Sequence, residues 1–214
     1  IALKHDRSES LFSEKKDNNY KPVIDGRNIG RYVLNWGGNY LAYDINKIHS
    51  CKRTDIFENE NKIFLRRVGG DIVATYDDKH YYALNTLVVI TNKNNQYNLK
   101  YLLGILNSKL NAYYYIKYLK STKKIFSEIQ AKQIAQLPIR KIDFTSPADV
   151  ARHDRMISLV TAMLDLNTQL AGAKTADEKT AIQRIIDAKD AEIDRLVYEL
   201  YDLTEEEIRI VEAH

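Results

Sequence analysis

Apolar residues recur at steps of three and four through residues 97–124, YNLKYLLGILNSKLNAYYYIKYLKSTKK, more densely than anywhere else in the chain. Leu102, Leu103, Ile105, Leu106, Leu110 and Tyr114 make one wide apolar face, the pattern of a helix buried on at least one side. Asn98 is placed to cap its start, because a short side-chain oxygen accepts from the free N–H groups of the first turn. The segment closes on Tyr113, Tyr114, Tyr115 and Tyr118 with Lys117, Lys120, Lys123 and Lys124, an aromatic and cationic mouth on an apolar stem.

Upstream the apolar runs are short and β-prone. Residues 1–19 are polar and charged with no sustained period and read as an arm or a truncated domain edge, with order beginning near Tyr20. Pro22-Val23-Ile24 predicts a short edge strand, since proline cannot donate to a central ladder, and Asp25-Gly26 predicts a turn. Residues 31–36 and 39–44 are split by Gly37-Gly38, a hairpin signature. After a polar loop over 45–61, residues 62–68, 71–76 and 84–91 predict three further strands, divided by Gly69-Gly70 and Asp77-Asp78. Five or six short strands with tight turns imply a small twisted, mostly antiparallel sheet or open barrel, with the residue 97–124 helix packed across it. Ser127 and Gln130 form a capping box for a short helix over 127–133, and residues 136–139 return to an extended conformation.

The pattern changes at Ser146. Ser146 before Pro147, with Asp149 close behind, marks a helix start, and Met156, Leu159, Met163, Leu166 and Leu170 follow at three- and four-residue steps. Gly172 stops that helix. Thr175 and Glu178 form the next capping box, and Ile182, Ile186, Ile193, Leu196 and Leu200 continue the seam, interrupted only by Lys189. Two helices joined by a short turn predict an antiparallel hairpin, each arm on the order of 30 Å long. A third helix opens at the capping box of Thr204 and Glu207. The expectation is an α+β fold: an arm over 1–19, a sheet domain over 20–144, and a helical hairpin with a short terminal helix over 145–214.

The net charge of +3 conceals a division. Residues 1–141 hold 24 Lys and Arg against 13 Asp and Glu, or +11, and residues 142–214 hold 8 against 16, or −8. Thirteen of the 15 Tyr and the one Trp lie in the basic part. Lys and Arg replace the counterions condensed on a polyanion while Tyr and Asn supply stacking and hydrogen bonds, so this part has the composition of a nucleic-acid surface. A solvated basic surface over a Tyr-filled β core is the plain alternative. The one cysteine, Cys51, excludes an internal disulfide framework and fits a reducing compartment. Neither a bilayer-spanning apolar run nor a signal peptide is visible, and a cytoplasmic location without membrane contact is expected. Ile1 in place of Met, opening inside polar sequence, is expected of a piece of a longer polypeptide.

Motifs of chemistry are mostly missing. The sequence holds no phosphate-binding glycine loop, no GxGxxG, no GxSxG and no HExxH, and no zinc spacing among its five His and one Cys. His5, His49, His80, His153 and His214 fall on arm, loop, turn or helix surface and read as solvated. Asp55 followed by Glu60-Asn61-Lys62 resembles an acidic-plus-Lys nuclease pattern that would hold magnesium beside a phosphate, against the plainer reading of a solvated loop. Basic residues cluster instead at turns. Arg27, Asn28, Arg53, Asn94 and Asn95 are candidates for reading bases, because Arg bridges guanine O6 and N7 and Asn does the same for adenine. Lys52, Lys93, Lys120, Lys123 and Lys124 are candidates for phosphates. Arg31 and one of Arg66 and Arg67 are expected to point inward to carboxylates or carbonyls, since neighbours in a strand face opposite ways.

In order along the chain, DGRNIGRY (25–32), FLRRV (64–68), VATYDD (73–78), LNTLVVI (84–90), YLLGILNSKL (101–110) and QLPI (136–139) together resemble the TaqI-like C-terminal specificity domain. The tail IDRLVYELYDLTEEEIRIVE (193–212) is similar to the ending of single-chain enzymes that both cut and methylate DNA, and to the paired spacer helices of type I specificity subunits. The resemblance covers about residues 20–212. It implies a target-recognition domain for an adenine-specific DNA methyltransferase of a restriction-modification system, with double-stranded DNA and the methyltransferase or endonuclease part of the same polypeptide as partners. The family's Asn-Pro-Pro-Tyr motif and S-adenosylmethionine pocket are absent from this sequence, as are cleavage residues. The chain is therefore expected to recognise DNA without modifying it, with no metal or catalytic residue of its own. S-adenosylmethionine, and magnesium if the parent cleaves, would belong to the rest of the enzyme. The family's base-reading loops vary, so the resemblance assigns no base contact. The rival reading is a protein-interaction module that self-associates through the acidic hairpin.

Overall fold

The structure, a computed structural model, describes residues 1–4, 10–92, 97–120 and 128–213. Its strands are β1 (Ala2–Leu3), β2 (Leu11–Phe12), β3 (Tyr20–Ile24), β4 (Ile29–Gly30), β5 (Val33–Leu34), β6 (Tyr40–Ala42), β7 (Ile48–Ser50), β8 (Lys62–Arg66), β9 (Ala74–Asp77), β10 (Tyr82–Ala83) and β11 (Leu87–Thr91). The helices are α1 (Leu99–Asn107), α2 (Lys109–Tyr114), α3 (Ala131–Ile134), α4 (Pro147–Gly172), α5 (Ala176–Leu200) and α6 (Glu205–Glu212). The fold is α+β and mostly antiparallel, as expected. Among the described residues its strands are divided over four small sheets, ordered β1-β7, β10-β3-β6-β2, β11-β8-β9 and β4-β5, with no closed barrel. Only β10 and β3 run parallel among the described strands.

Strand β8 is the centre. Lys62, Ile63, Phe64 and Leu65 are all fully buried, and alternation across the strand divides them between two cores. Ile63 and Leu65 join Leu103, Ile105, Met156, Val160 and Leu196 under the helices. Phe64 joins Ile24, Leu41, Phe57 and Tyr82 beneath the four-stranded sheet. A strand buried on both faces shows no polar alternation to announce itself, only a short apolar run.

Several sequence expectations are corrected by tertiary pairing. The described parts of the segment read as an arm are tied down, with β1 against β7 and β2 against β6. Two-residue strands are too short to display a period. Strand β3 is interior rather than an edge, lying between β10 and β6. Val23 donates to Asn39 beside β6, so alternation turns the Pro22 nitrogen to the other side, where β10 begins only opposite Val23. The Gly37-Gly38 turn does not close a hairpin: β5 pairs with β4 across Arg31-Tyr32, and β6 pairs with β3. Tyr32 takes the left-handed conformation there, φ +59°. Gly69 and Gly70, both at positive φ, make the expected turn between β8 and β9.

The expected long helix is broken. Asn98 caps α1 as anticipated, accepting from the backbone N–H of Lys100 and Tyr101. At Ser108 the backbone turns extended, φ −70° and ψ 154°. The Ser108 hydroxyl donates to the Ile105 carbonyl at 2.8 Å and accepts from the Asn111 N–H, so it starts α2, the local competition with the helix that serine offers. A π-helical turn over Tyr115–Leu119 ends at Lys120. Asn107 explains the break, because its buried side chain accepts from the Ala74 N–H at 2.9 Å and donates to the Ala74 carbonyl at 3.0 Å. One amide thereby substitutes for an added strand residue at the β9 edge. The short helix read over 127–133 begins later, with Gln130 and Gln133 closing its capping box; Ser127 lies outside the described residues.

The hairpin follows its sequence signals. Ser146 caps α4, Thr175 caps α5, and Thr204 with Glu207 completes the box at α6. Glu178 reaches back to the Lys174 N–H, one residue earlier than expected. At 26 and 25 residues the arms are closer to ~38 Å long than to 30 Å. Helix α4 lies against α1 at Gly104, where an added Cβ would stand 2.4 Å from the Met156 sulfur. Arg31 ties α5 to the sheet, donating to the Asn107 carbonyl and to Asp190, each at 2.8 Å. No described helix is long and apolar enough to cross a membrane.

Candidate nucleic-acid interface

The turns at the Arg66 end of β8 gather several candidate residues. Arg66 points inward, as expected of one arginine of the pair, and donates to the carbonyls of Gly26 and Ile29. The Gly26 N–H donates to Thr86 Oγ1 at 2.9 Å, and the Arg67 N–H to the Thr86 carbonyl at 2.9 Å. The Ile129 N–H donates to the Arg67 carbonyl at 2.8 Å, and Gln133 Nε2 to the Leu119 carbonyl at 2.6 Å. These bonds bring the 26–28 turn, the 84–86 turn, residues 67–70 and the stretch from Leu119 to Lys120 to one end of the sheet. Arg27, 85% exposed at its side chain, and Lys120 therefore stand at the same end, with exposed Val68 between turns. Arg67 faces outward and pairs with Glu128 at 2.9 Å.

Lys52 and Arg53 lie at the opposite end. Their loop leads through Phe57 to Lys62, the first residue of β8, which pairs across to Thr91 and to Asp77. Lys52 is exposed, and its carbonyl accepts from the Tyr43 hydroxyl at 2.8 Å. Arg53 pairs with Asp55. Four residue steps of ~3.4 Å put the two ends of β8 roughly 14 Å apart. The structure thus divides the described candidates into two groups rather than one. Lys93, Asn94, Asn95, Lys123 and Lys124 lie outside the described residues.

The geometry reassigns some side chains. Asn28 is committed to its own turn, its oxygen accepting from the Asp25 N–H at 2.8 Å and its amide donating to the Asn35 carbonyl at 2.9 Å. Arg27 grips both oxygens of Asp25, and that bond raises the guanidinium above its ordinary value. The nuclease-like reading of Glu60-Asn61-Lys62 fails, because Lys62 is not beside solvent. Its Nζ meets Asp77 at 2.7 Å with both side chains fully buried, and donates to the Phe57 carbonyl at 2.7 Å. His153 is not solvated either; it is nearly buried between the rings of Tyr101 and Phe144. Among the described residues, no group of three or more His, Cys, Asp or Glu is arranged to hold a metal ion.

Sequence reading missed a cleft of about 410 Å³ between β9 and α4, lined in part by Thr75, Tyr76, Tyr81, Lys79, Lys100 and Thr161. Lys100 spans it, with Nζ over the Tyr76 ring and a 3.0 Å bond to Thr161. Lys100 and Thr161 are 61 residues apart in sequence, β9 is farther still from α4, and no local spacing signals that meeting. The aromatic group of Trp36, Tyr40 and Tyr81 beside it was visible only as Tyr-rich composition.

Two comparisons bear on these surfaces. The TaqI-like C-terminal specificity domain matches residues 21–139, from β3 to the stretch before α4. A protein of Methanocaldococcus jannaschii, provisionally named a type II restriction enzyme and methyltransferase, is 29% identical over 201 residues. That alignment takes in 91% of this chain and 16% of the relative, so the chain spans about a sixth of its length. The alignment extends past the matched domain into the helical hairpin.

Proposed function

Since this chain belongs to the family of TaqI-like C-terminal specificity domains, we propose that it is the DNA target-recognition part of a restriction-modification enzyme. The domain match over residues 21–139 carries this reading. The +11 charge of residues 1–141 and the exposed arginine turns at both ends of β8 support it. Methyl transfer to adenine, and cleavage if the parent cuts, belong to a separate part of a longer polypeptide, together with S-adenosylmethionine and magnesium. In that enzyme this chain holds the duplex while the adenine is turned out of the stack, because a stacked base cannot reach a donor methyl group. Arg27, Asn28, Arg53, Asn94 and Asn95 remain the base-reading candidates, with Asn28 acting through the shape of its turn. Lys52, Lys93, Lys120, Lys123 and Lys124 serve phosphates. Self-association through the hairpin is the weaker reading, because much of the α4 and α5 seam is consumed within the chain.

Salt-titrated binding to duplex DNA tests the proposal. Log affinity should fall linearly with log salt concentration, at a slope of about −0.9 per neutralised phosphate. Replacing Lys120, Lys123 and Lys124 together with Ala should weaken binding to all sequences alike and flatten the slope. Affinity indifferent to salt would count against the proposal, and an in-frame Asn-Pro-Pro-Tyr motif upstream in the gene would support the adenine assignment.

A further inference from the structure

The arginines of the two loop groups do not meet solvent bare. Arg53 places Nε on Asp55 Oδ1 at 2.9 Å and Nη2 on Asp55 Oδ2. Arg27 grips Asp25 likewise, with Nε at 3.2 and 3.3 Å from the two oxygens and Nη2 at 2.8 Å. Arg67 Nη2 meets Glu128 Oε2 at 2.9 Å. The Nε–Nη2 edge is what a guanidinium offers to any planar pair of acceptors, whether a carboxylate, a phosphate, or O6 and N7 of guanine. For Arg27 and Arg53 that edge is already taken, and for Arg67 it is half taken.

Burial does not force the Arg53 pairing, since its side chain and that of Asp55 are 68% and 61% exposed. Both Arg27 and Arg53 are held by a carboxylate two residues away in a turn, at opposite ends of β8. The bond from Arg53 also holds the Asp55 carboxyl below its ordinary value, so the pair stays ionised at neutral pH.

We infer that Asp55 and Glu128, with Asp25, are internal stand-ins for nucleic acid that mask these arginines toward DNA of arbitrary sequence, an inference that rests on the target-recognition reading. An arginine–carboxylate pair has no net charge with which to replace a counterion, so it adds little to sequence-independent binding. It is released only to a partner whose paired acceptors outcompete a solvated carboxylate, and such an exposed pair is weak enough to be exchanged. The carboxylates therefore lower non-specific affinity while leaving the arginine forks pre-aligned.

The test is fluorescence anisotropy with a mixed-sequence duplex over a salt series, using the whole chain. Asp55→Asn and Glu128→Gln should each tighten binding about two- to five-fold and steepen the salt slope by up to about 0.9. Glu60→Gln removes a carboxylate of the same loop that makes no ion pair among the described residues, and should leave the slope at the unaltered value. The gain of Asp55→Asn should vanish in the Arg53→Ala/Asp55→Asn double variant. Persistence of that gain without Arg53 would overturn the inference by assigning it to simple loss of negative charge. If the unaltered chain binds duplex in a salt-dependent way but Asp55→Asn and Glu128→Gln behave like Glu60→Gln, the masking inference falls and the target-recognition reading stands. Absence of duplex binding by the unaltered chain at low salt would remove both.

Discussion

Lys62 shows how far a residue's neighbours can reverse its sequence reading. In Glu60-Asn61-Lys62 it stands beside acidic residues in a polar stretch, yet it opens a strand buried on both faces. There its charge is answered by Asp77, whose oxygens also accept from the N–H groups of Lys79 and Tyr81 at 3.0 and 3.1 Å. Lys62→Met should cost about 3–5 kcal/mol, because it leaves the buried Asp77 carboxylate uncompensated. Lys62→Met with Asp77→Leu should cost less than Lys62→Met alone; urea denaturation of the two variants checks the order. Asp194 is the converse case, a buried carboxyl whose desolvation raises it above its ordinary value against the Lys109 N–H and the charges of Arg31 and Lys109. Asp190 adds to the rise. The folded chain holds that proton more tightly than the unfolded one, so the contribution of Asp194 to stability is present below its unfolded value of about 3.9 and is lost as pH rises through the folded value. Asp194→Asn keeps an oxygen for the Lys109 N–H. It should therefore be more stable than the unaltered chain at pH 7, with the advantage shrinking toward pH 4 in paired denaturation curves.

At the scale of elements, the helix around which the sequence pattern is densest proves to be two helices and a π turn. Its cap at Asn98 and its apolar face were legible, because capping and amphipathicity are local properties. The break at Ser108 was not. It depends on Asn107 finding the edge of β9, a partner 33 residues away. The same helix meets α4 at Gly104, where Met156 and Val160 fill the space a side chain would need. Gly104→Val should destabilise by about 1–3 kcal/mol through overpacking. Gly104→Ala should cost less, since about 1 kcal/mol of helix propensity is regained. Chemical denaturation of both variants measures the difference. The arginines followed the same division: that Arg66 serves carbonyls inside was anticipated from alternation, whereas Arg31 reaches the Asn107 carbonyl and Asp190 from a turn outside any strand, and the pairing of Arg67 with Glu128 required residues 61 positions apart to meet.

For the molecule as a whole, one continuous core joins the matched specificity domain to the helices beyond it. Leu103, Ile105 and Leu106 of α1 are buried together with Met156, Val160, Ile193 and Leu196. Arg140 ties the connection down, with bonds to the Leu200 carbonyl and to Asp149, while its N–H meets the Tyr201 hydroxyl. Deleting residues 146–214 should therefore abolish the cooperative thermal unfolding transition of the sheet region instead of releasing an intact recognition domain. A fragment of residues 1–145 that melts cooperatively would show the two parts to be separable.

The sequence by itself determined what is local: the helical hairpin and its caps, the glycine turn between β8 and β9, the α+β class, the charge division, and through ordered motifs the family. Each depends on residues within a few positions of one another or on composition. Only the tertiary structure decided which strands pair, that β8 lies between two cores, that Lys62 is structural, and that Arg27 and Arg53 stand at opposite ends of β8, each already held by a carboxylate. Those outcomes depend on which distant segments exclude water together. Two-residue strands and buried charge pairs carry too little local pattern to announce that choice.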